Sequence, residues 1–92
     1  MHSLLLYSEK DSVFTCMVPV NKGDSLEYSG IKITAANDVP AYHKIARVFV
    51  KAGGEVYKYG EPIGTASIDI HPGDHVHVHN LESVRGRGDK NK

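Results

Sequence analysis

Short apolar runs alternate along this chain with polar and turn-forming residues, and helical periodicity is almost absent. The runs are rich in β-branched and aromatic residues and are bounded by Gly, Pro, Asn and Asp, a pattern typical of strands joined by turns. We therefore predict an all-β domain with short strands and Gly-rich turns. For residues 37–42 we predict a loop or a short helical turn. The strands are expected near residues 3–8, 12–19, 25–28, 31–36, 44–51, 55–59, 63–69 and 74–79.

A seven-residue motif occurs three times, at residues 20–26, 50–56 and 70–76. Each copy has an apolar residue, two variable positions, Gly, then Gly or Asp, one further residue and another apolar residue. Glycine adopts the positive φ of a tight turn at little cost, and the apolar residues mark where strands leave and re-enter the core. The motif predicts three glycine corners in a compact, barrel-like arrangement.

Size and charge narrow the classes of function. A chain of 92 residues makes one small domain with a thin core, because it buries only about 60–65% of its unfolded surface. This favours a binding module or a subunit of a larger enzyme. We expect the domain to span 1–84 and a flexible tail to span 85–92. The 11 basic and 11 acidic residues balance, so neither nucleic acid nor a membrane surface is expected as partner.

Cys16 is the single cysteine, which excludes an internal disulfide. This usage favours a reducing cytoplasm as the location. Cys16 lies in the apolar run 13–18, where a buried structural thiol is expected. No apolar run reaches the roughly 20 residues that a membrane-spanning helix needs.

Three of the six histidines alternate with valine in the run 75–79. On a strand, Val76 and Val78 would face the core and the histidines the opposite side. Neighbouring histidines at this spacing can chelate one metal ion, whereas three in a row rarely can. Further ligands would have to come from His43, an acidic residue or a partner chain. The face therefore has two interpretations: a solvated polar strand, or a surface that binds a metal or an anionic substrate.

Three segments resemble the small domain of the altronate and galactarate dehydratase family. They are His43-Lys44-Ile45-Ala46, the run 58–64 with the sequence KYGEPIG, and Val76-His77-Val78-His79-Asn80. The resemblance covers about 39–89 well and the first 36 residues loosely. It implies an SAF domain with a β-clip fold. In the family, this domain is either fused to a large catalytic domain or forms a separate small subunit, and the sulfolactate sulfo-lyase small subunit is a close variant.

The resemblance implies a function in β-elimination. The chain would be the small subunit of a metal-dependent hydroxy-acid lyase that removes water from a sugar acid, or sulfite from sulfolactate. It would act with a separate large catalytic subunit and would be inactive alone. The implied cofactor is a divalent metal, Fe(II) or Mn(II), held only in the full complex.

The resemblance also suggests roles for individual residues. His75 is left out of the expected site because it stands where relatives vary. Relatives usually carry Phe-Gly just before the counterpart of His43, whereas this chain has Ala41-Tyr42. The expected roles are catalysis for His43, substrate binding for Lys44, Lys58 and Asn80, and metal binding for His77 and His79.

Two other functions remain open on sequence grounds. One is a stand-alone module that binds a sugar acid or a similar anion without catalysis. The other is a purely structural or assembly domain. Homo-oligomers are compatible with all three readings, because small β domains with unpaired edges often associate.

Overall fold

The computed structural model describes residues 3–83, and this part of the chain contains strands and turns but no helix. It therefore contains no helix long and apolar enough to cross a membrane. The all-β prediction is confirmed. The tail predicted at 85–92 lies outside the described residues. The strands are β1 (Leu4–Leu5), β2 (Val13–Cys16), β3 (Ser25–Tyr28), β4 (Ile31–Thr34), β5 (Lys44–Ala46), β6 (Glu55–Lys58), β7 (Glu61–Ala66), β8 (His75–Val76) and β9 (Leu81–Ser83).

The strands form three small antiparallel sheets, in the orders β1-β2-β5-β8, β3-β4 and β6-β7-β9. The four-stranded sheet lies between two hydrophobic clusters, and β2 is buried along its whole length. One cluster takes Val13 and Ala46, and the other takes Phe14 and Ile45. Because successive side chains of a strand point to opposite faces, both faces of this sheet are covered.

Cys16 belongs to the second cluster and is fully buried. Burial disfavours the thiolate and raises the pKa of the thiol to about 11. The predicted structural role of this thiol is confirmed.

All three copies of the glycine motif form turns, as predicted. Gly23, Gly53 and Gly73 have φ values of 91°, 87° and 95°. The turns start at buried residues that form isolated bridges, Val20 with Val39 and Val50 with Ile70. The glycines thus let the chain reverse directly beside the core.

Each of the first two copies of the glycine motif leads into a hairpin of the same type, so the structural repeat is longer than the seven-residue motif. The hairpin β3–β4 turns at Ser29-Gly30, and the hairpin β6–β7 turns at Tyr59-Gly60. All four residues have positive φ, between 49° and 82°. This is the two-residue turn whose twist matches antiparallel strands. The second hairpin also contains a register shift between Val56 and Tyr57.

Two predictions about the histidine run are wrong. The strand expected over 74–79 ends at Val76, and residues 77–80 form a turn. Val76 is fully buried as expected, but Val78 is 81% exposed. The turn forms because the His77 carbonyl accepts hydrogen bonds from the N–H groups of Asn80 and Leu81, at 3.1 and 2.9 Å.

Most of the other predicted strands are longer than the observed ones, since the chain bends away soon after each core residue. The strand expected over 44–51 ends at Ala46, and Phe49 beyond it is half exposed. The segment 37–42 forms a bridge and turns without a helix. Strand β9 was not predicted.

Candidate metal centre

Two paired strands bring together histidines that are far apart in sequence. His75 of β8 pairs with Ile45 of β5, and His43 immediately precedes β5. His43 Nδ1 and His75 Nε2 lie 2.9 Å apart, within hydrogen-bonding distance. His77 follows β8 directly, where the turn begins. One ring nitrogen from each of these three histidines lies within 4.8 Å of the others.

We call His43, His75 and His77 the histidine trio. The rings of His43 and His77 stack with centroids 4.7 Å apart, and those of His75 and His77 stack at 5.5 Å. The ring of His79 lies 5.5 Å from that of His75, but its nitrogens are not part of the group formed by the trio. The structure therefore groups His75 with the expected site and places His79 beside it.

The electrostatics favour neutral imidazoles at His75 and His77. Partial burial lowers the pKa of His75, and the charges of His43, His79, His77 and Lys44 lower it further. The pKa of His77 is lowered by the same kinds of cause, with loss of solvation first and the charge of His43 second. A neutral imidazole is the form that binds metals, so fewer protons compete with a cation here.

The donor set fits a divalent transition metal. Three imidazole nitrogens suit Fe(II) and Zn(II), whereas Mn(II) prefers carboxylate ligands. The nitrogens of His43 and His75, 2.9 Å apart, are within a few tenths of an ångström of the roughly 3.3 Å that separates two tetrahedral ligands of one ion. Such a cation would keep further coordination positions for ligands from outside the trio.

Asn80 was expected to bind substrate, but its side chain bonds to the backbone of the histidine run. Its side chain is almost fully buried. The Oδ1 atom accepts a hydrogen bond from the His77 N–H at 2.9 Å, and Nδ2 donates to the His75 carbonyl at 2.9 Å. Asn80 thus fixes the backbone that carries two members of the trio.

Lys44 and Lys58 lie beside the trio. Lys44 on β5 is half-buried; its pKa is lowered first by burial and then by the positive charge of Lys58. The charge of Lys44 in turn lowers the pKa of His75 and His77. Lys44, at the start of β5, thus lies near two members of the trio, and Lys58, at the end of β6, lies near Lys44.

Tyr42 precedes this region in a backbone conformation that favours glycine. Its φ is 69°, and its ring is 71% exposed. A non-glycine residue at positive φ costs about 1–2 kcal/mol. A glycine at this position would avoid this cost. The Tyr42 ring points largely to solvent.

Sequence reasoning left His75 out of the site and did not assign Thr15, Tyr7 or Tyr59 to it, although all four lie in or beside this region. The observation that brings His75 into the site is its pairing with Ile45. This pairing depends on the register between strands 30 residues apart, which the sequence does not show. Tyr59 carried a weak local signal, since it precedes Gly60 in a turn.

The fold and the site together define a class of protein: a small β-clip domain with a histidine trio at the edge of its central sheet. The chain belongs to the altronate/galactarate dehydratase SAF domain family, whose model matches residues 2–84.

The chain is similar to three relatives. It is 37% identical over 83 residues to the altronate dehydratase of Bacillus subtilis (strain 168), and 37% identical over 73 residues to that of Escherichia coli (strain K12). These stretches cover 90% and 79% of the chain, but only 17% and 15% of the two relatives. It is 44% identical over 57 residues to the (2R)-sulfolactate sulfo-lyase subunit alpha of Paracoccus pantotrophus, covering 62% of the chain and 85% of that subunit.

Proposed function

We propose that the chain is the small subunit of a metal-dependent hydroxy-acid lyase and completes an active site with a large catalytic subunit. The observation that carries the proposal is the histidine trio in a domain of this family. The relatives support the class of reaction, because they are named as a dehydratase and as a sulfo-lyase. The subunit alpha relative, 85% of which is covered, supports the role of a separate small subunit.

In such an elimination, a base removes the proton beside the carboxylate and a hydroxyl or sulfite group leaves. The negative charge that develops on the carboxylate oxygens must be stabilised. A divalent cation, when bound, supplies this stabilisation as a Lewis acid. His43, His75 and His77 would hold it through their ring nitrogens, and Fe(II) matches these donors better than Mn(II).

His43 acts as a ligand in this proposal, because its Nδ1 lies against His75. The catalytic base would then come from the large subunit. Asn80 acts as a positioning residue through its two backbone hydrogen bonds. His79, at the edge of the trio, contributes less to metal binding than His75. We also propose a cytoplasmic location, in which the free thiol of Cys16 stays reduced.

Capture of the full chain from its own cells tests this proposal. The tagged chain is purified, its partners are identified by mass spectrometry, and the eluate is assayed with altronate, galactarate and (2R)-sulfolactate. We expect a stoichiometric larger partner and an elimination activity that chelation removes and Fe(II) restores. A chain that is captured alone, without elimination activity, would reject the subunit role and favour a stand-alone binding module.

A further inference from the structure

Thr15 has a buried hydroxyl group that lacks a well-aligned hydrogen-bond partner. The residue is 5% exposed, and within residues 3–83 its Oγ1 atom meets no partner at good geometry, although it lies close enough to the Tyr7 hydroxyl to interact with it. Burying a hydroxyl without a hydrogen bond costs about 1–3 kcal/mol on the scale of protein mutations. Valine has nearly the same shape as threonine and would fill this position without that cost. The hydroxyl of Thr15 therefore indicates a role other than packing.

The Thr15 side chain lies beside that of Lys44. The two residues are directly paired across β2 and β5, and paired residues project to the same face of a sheet. Lys44 is half-buried and close enough to Lys58 for the second charge to lower its pKa. In the described part of the chain, neither ammonium group is paired with a carboxylate. Thr15 and Lys44 thus share one face of the sheet, with the charge of Lys58 nearby.

Two tyrosines hold Lys58 in this arrangement. Its Nζ atom lies 4.8 Å from the ring centroid of Tyr59 and 5.6 Å from that of Tyr7. The two rings pack against each other at 4.4 Å. Loss of solvation is the main cause that raises the pKa of Tyr7, while a hydrogen-bonding interaction with the Thr15 hydroxyl lowers it. The tyrosines therefore connect Lys58 with Thr15.

We propose that Thr15, Lys44 and Lys58 form a subsite for a carboxylate group of the substrate, with Tyr7 and Tyr59 as positioning residues. The hydroxyl donates a hydrogen bond to one oxygen, and the two ammonium groups neutralise the charge. The identity of the ligand as a hydroxy acid rests on the proposed function. The subsite itself rests on the geometry of this chain and requires neither a metal nor a partner.

Galactarate is a suitable probe, and galactitol is its uncharged counterpart of the same carbon length. Each is titrated into the ¹⁵N-labelled full chain at constant ionic strength with EDTA present, and binding is followed by ¹H–¹⁵N NMR. We expect saturable shifts at the amides of Thr15, Lys44 and Tyr59 with galactarate and none with galactitol. Absence of saturable binding, or equal shifts at the exposed Lys22 and Lys51, would overturn the proposal.

Substitution of Thr15 by valine separates binding from structure. T15V keeps the shape of the side chain and removes the unpaired hydroxyl, so we expect the Tm to rise by a few degrees. The affinity for galactarate should fall about tenfold, because a hydrogen bond to a charged group is lost. T15S retains the hydroxyl and should retain most of the affinity, whereas K58M should weaken binding as T15V does and K51M should not.

The outcomes distinguish the subsite from the lyase function. If T15V binds galactarate like the unmodified chain, the subsite is wrong, even if the captured complex proves to be a lyase. If T15V and K58M lose binding while the chain shows no partner and no elimination activity, the subsite stands and the proposed function fails.

Discussion

Asp11 shows how a single residue can hold this fold together. Its carboxylate is 1% exposed and accepts hydrogen bonds from three backbone N–H groups. Gly60 donates at 2.8 Å, and Ser8 and Tyr59 each donate at 3.2 Å. These bonds attach the segment before β2 to the turn that carries Tyr59. In sequence, Asp11 stands between Lys10 and Ser12 and has the appearance of an ordinary surface residue.

Replacing Asp11 by Asn should destabilise the domain strongly. Asn offers one acceptor oxygen and places an NH₂ group against backbone donors. Bonds to a charged acceptor contribute about 1.5–3 kcal/mol, so we expect the free energy of unfolding to fall by about that amount in urea titrations. D38N is the control, because Asp38 is exposed and accepts a single bond, from the Lys22 N–H at 2.8 Å. Equal losses in both variants would contradict the assigned role.

His75 shows why the site could be predicted only in part. His43, His77 and the two lysines were recognised from motifs that resemble the family. The place of His75 in the trio depends on the pairing of β5 with β8 and on the turn that ends β8. The pairing of β5 with β8 is not encoded in the few residues around His75, and variation among relatives argued against including it.

At the scale of elements, glycines at the same position of the repeated motif are packed differently. A Cβ atom at Gly53 would have no atom within 4 Å, whereas one at Gly73 would lie 2.1 Å from the Thr34 carbonyl oxygen. Both residues have positive φ, so the conformational cost of alanine is shared. The difference between the two sites is therefore a steric one.

We expect G53A to cost about 1–2 kcal/mol through its backbone conformation alone. G73A should cost clearly more, because the contact with Thr34 forces the backbone to shift. Urea unfolding of the two variants measures the difference. Similar stabilities would show that the third corner is not packed against β4 as described.

The elements were predictable where the signals are local. Strand β3 was predicted at its observed bounds, and the glycine corners followed from the motif. The end of β8 was missed, because the alternation of histidine and valine imitates a strand. Local hydrogen bonds of the Asn80 side chain, to the backbone of His77 and His75, override that alternation.

At the scale of the whole molecule, the central sheet is buried on both faces, and the trio lies at its edge. Burial and mutual repulsion lower the pKa of His75 and His77 below the ordinary value of 6.5. In the unfolded chain these histidines take up protons first as the pH falls. The stability they contribute is therefore complete above about pH 6.5 and declines as the pH falls towards their folded pKa values.

The metal-free domain should show this loss as a Tm that falls between about pH 7 and pH 5.5, measured by calorimetry in EDTA. The double variant H75Q/H77Q should have a flatter profile in this window. H71Q is the control and should keep the original slope, since His71 packs on Phe49 outside the trio. A profile that the double variant leaves unchanged would contradict the account.

The most direct test of the central claim compares H75A with H79A in the captured complex, by metal content and by turnover of the hydroxy acid. The trio predicts that H75A loses most of its bound metal and at least tenfold in turnover, while H79A retains most of both. The reverse pattern, or unchanged metal and turnover in H75A, would contradict the metal centre proposed for this chain.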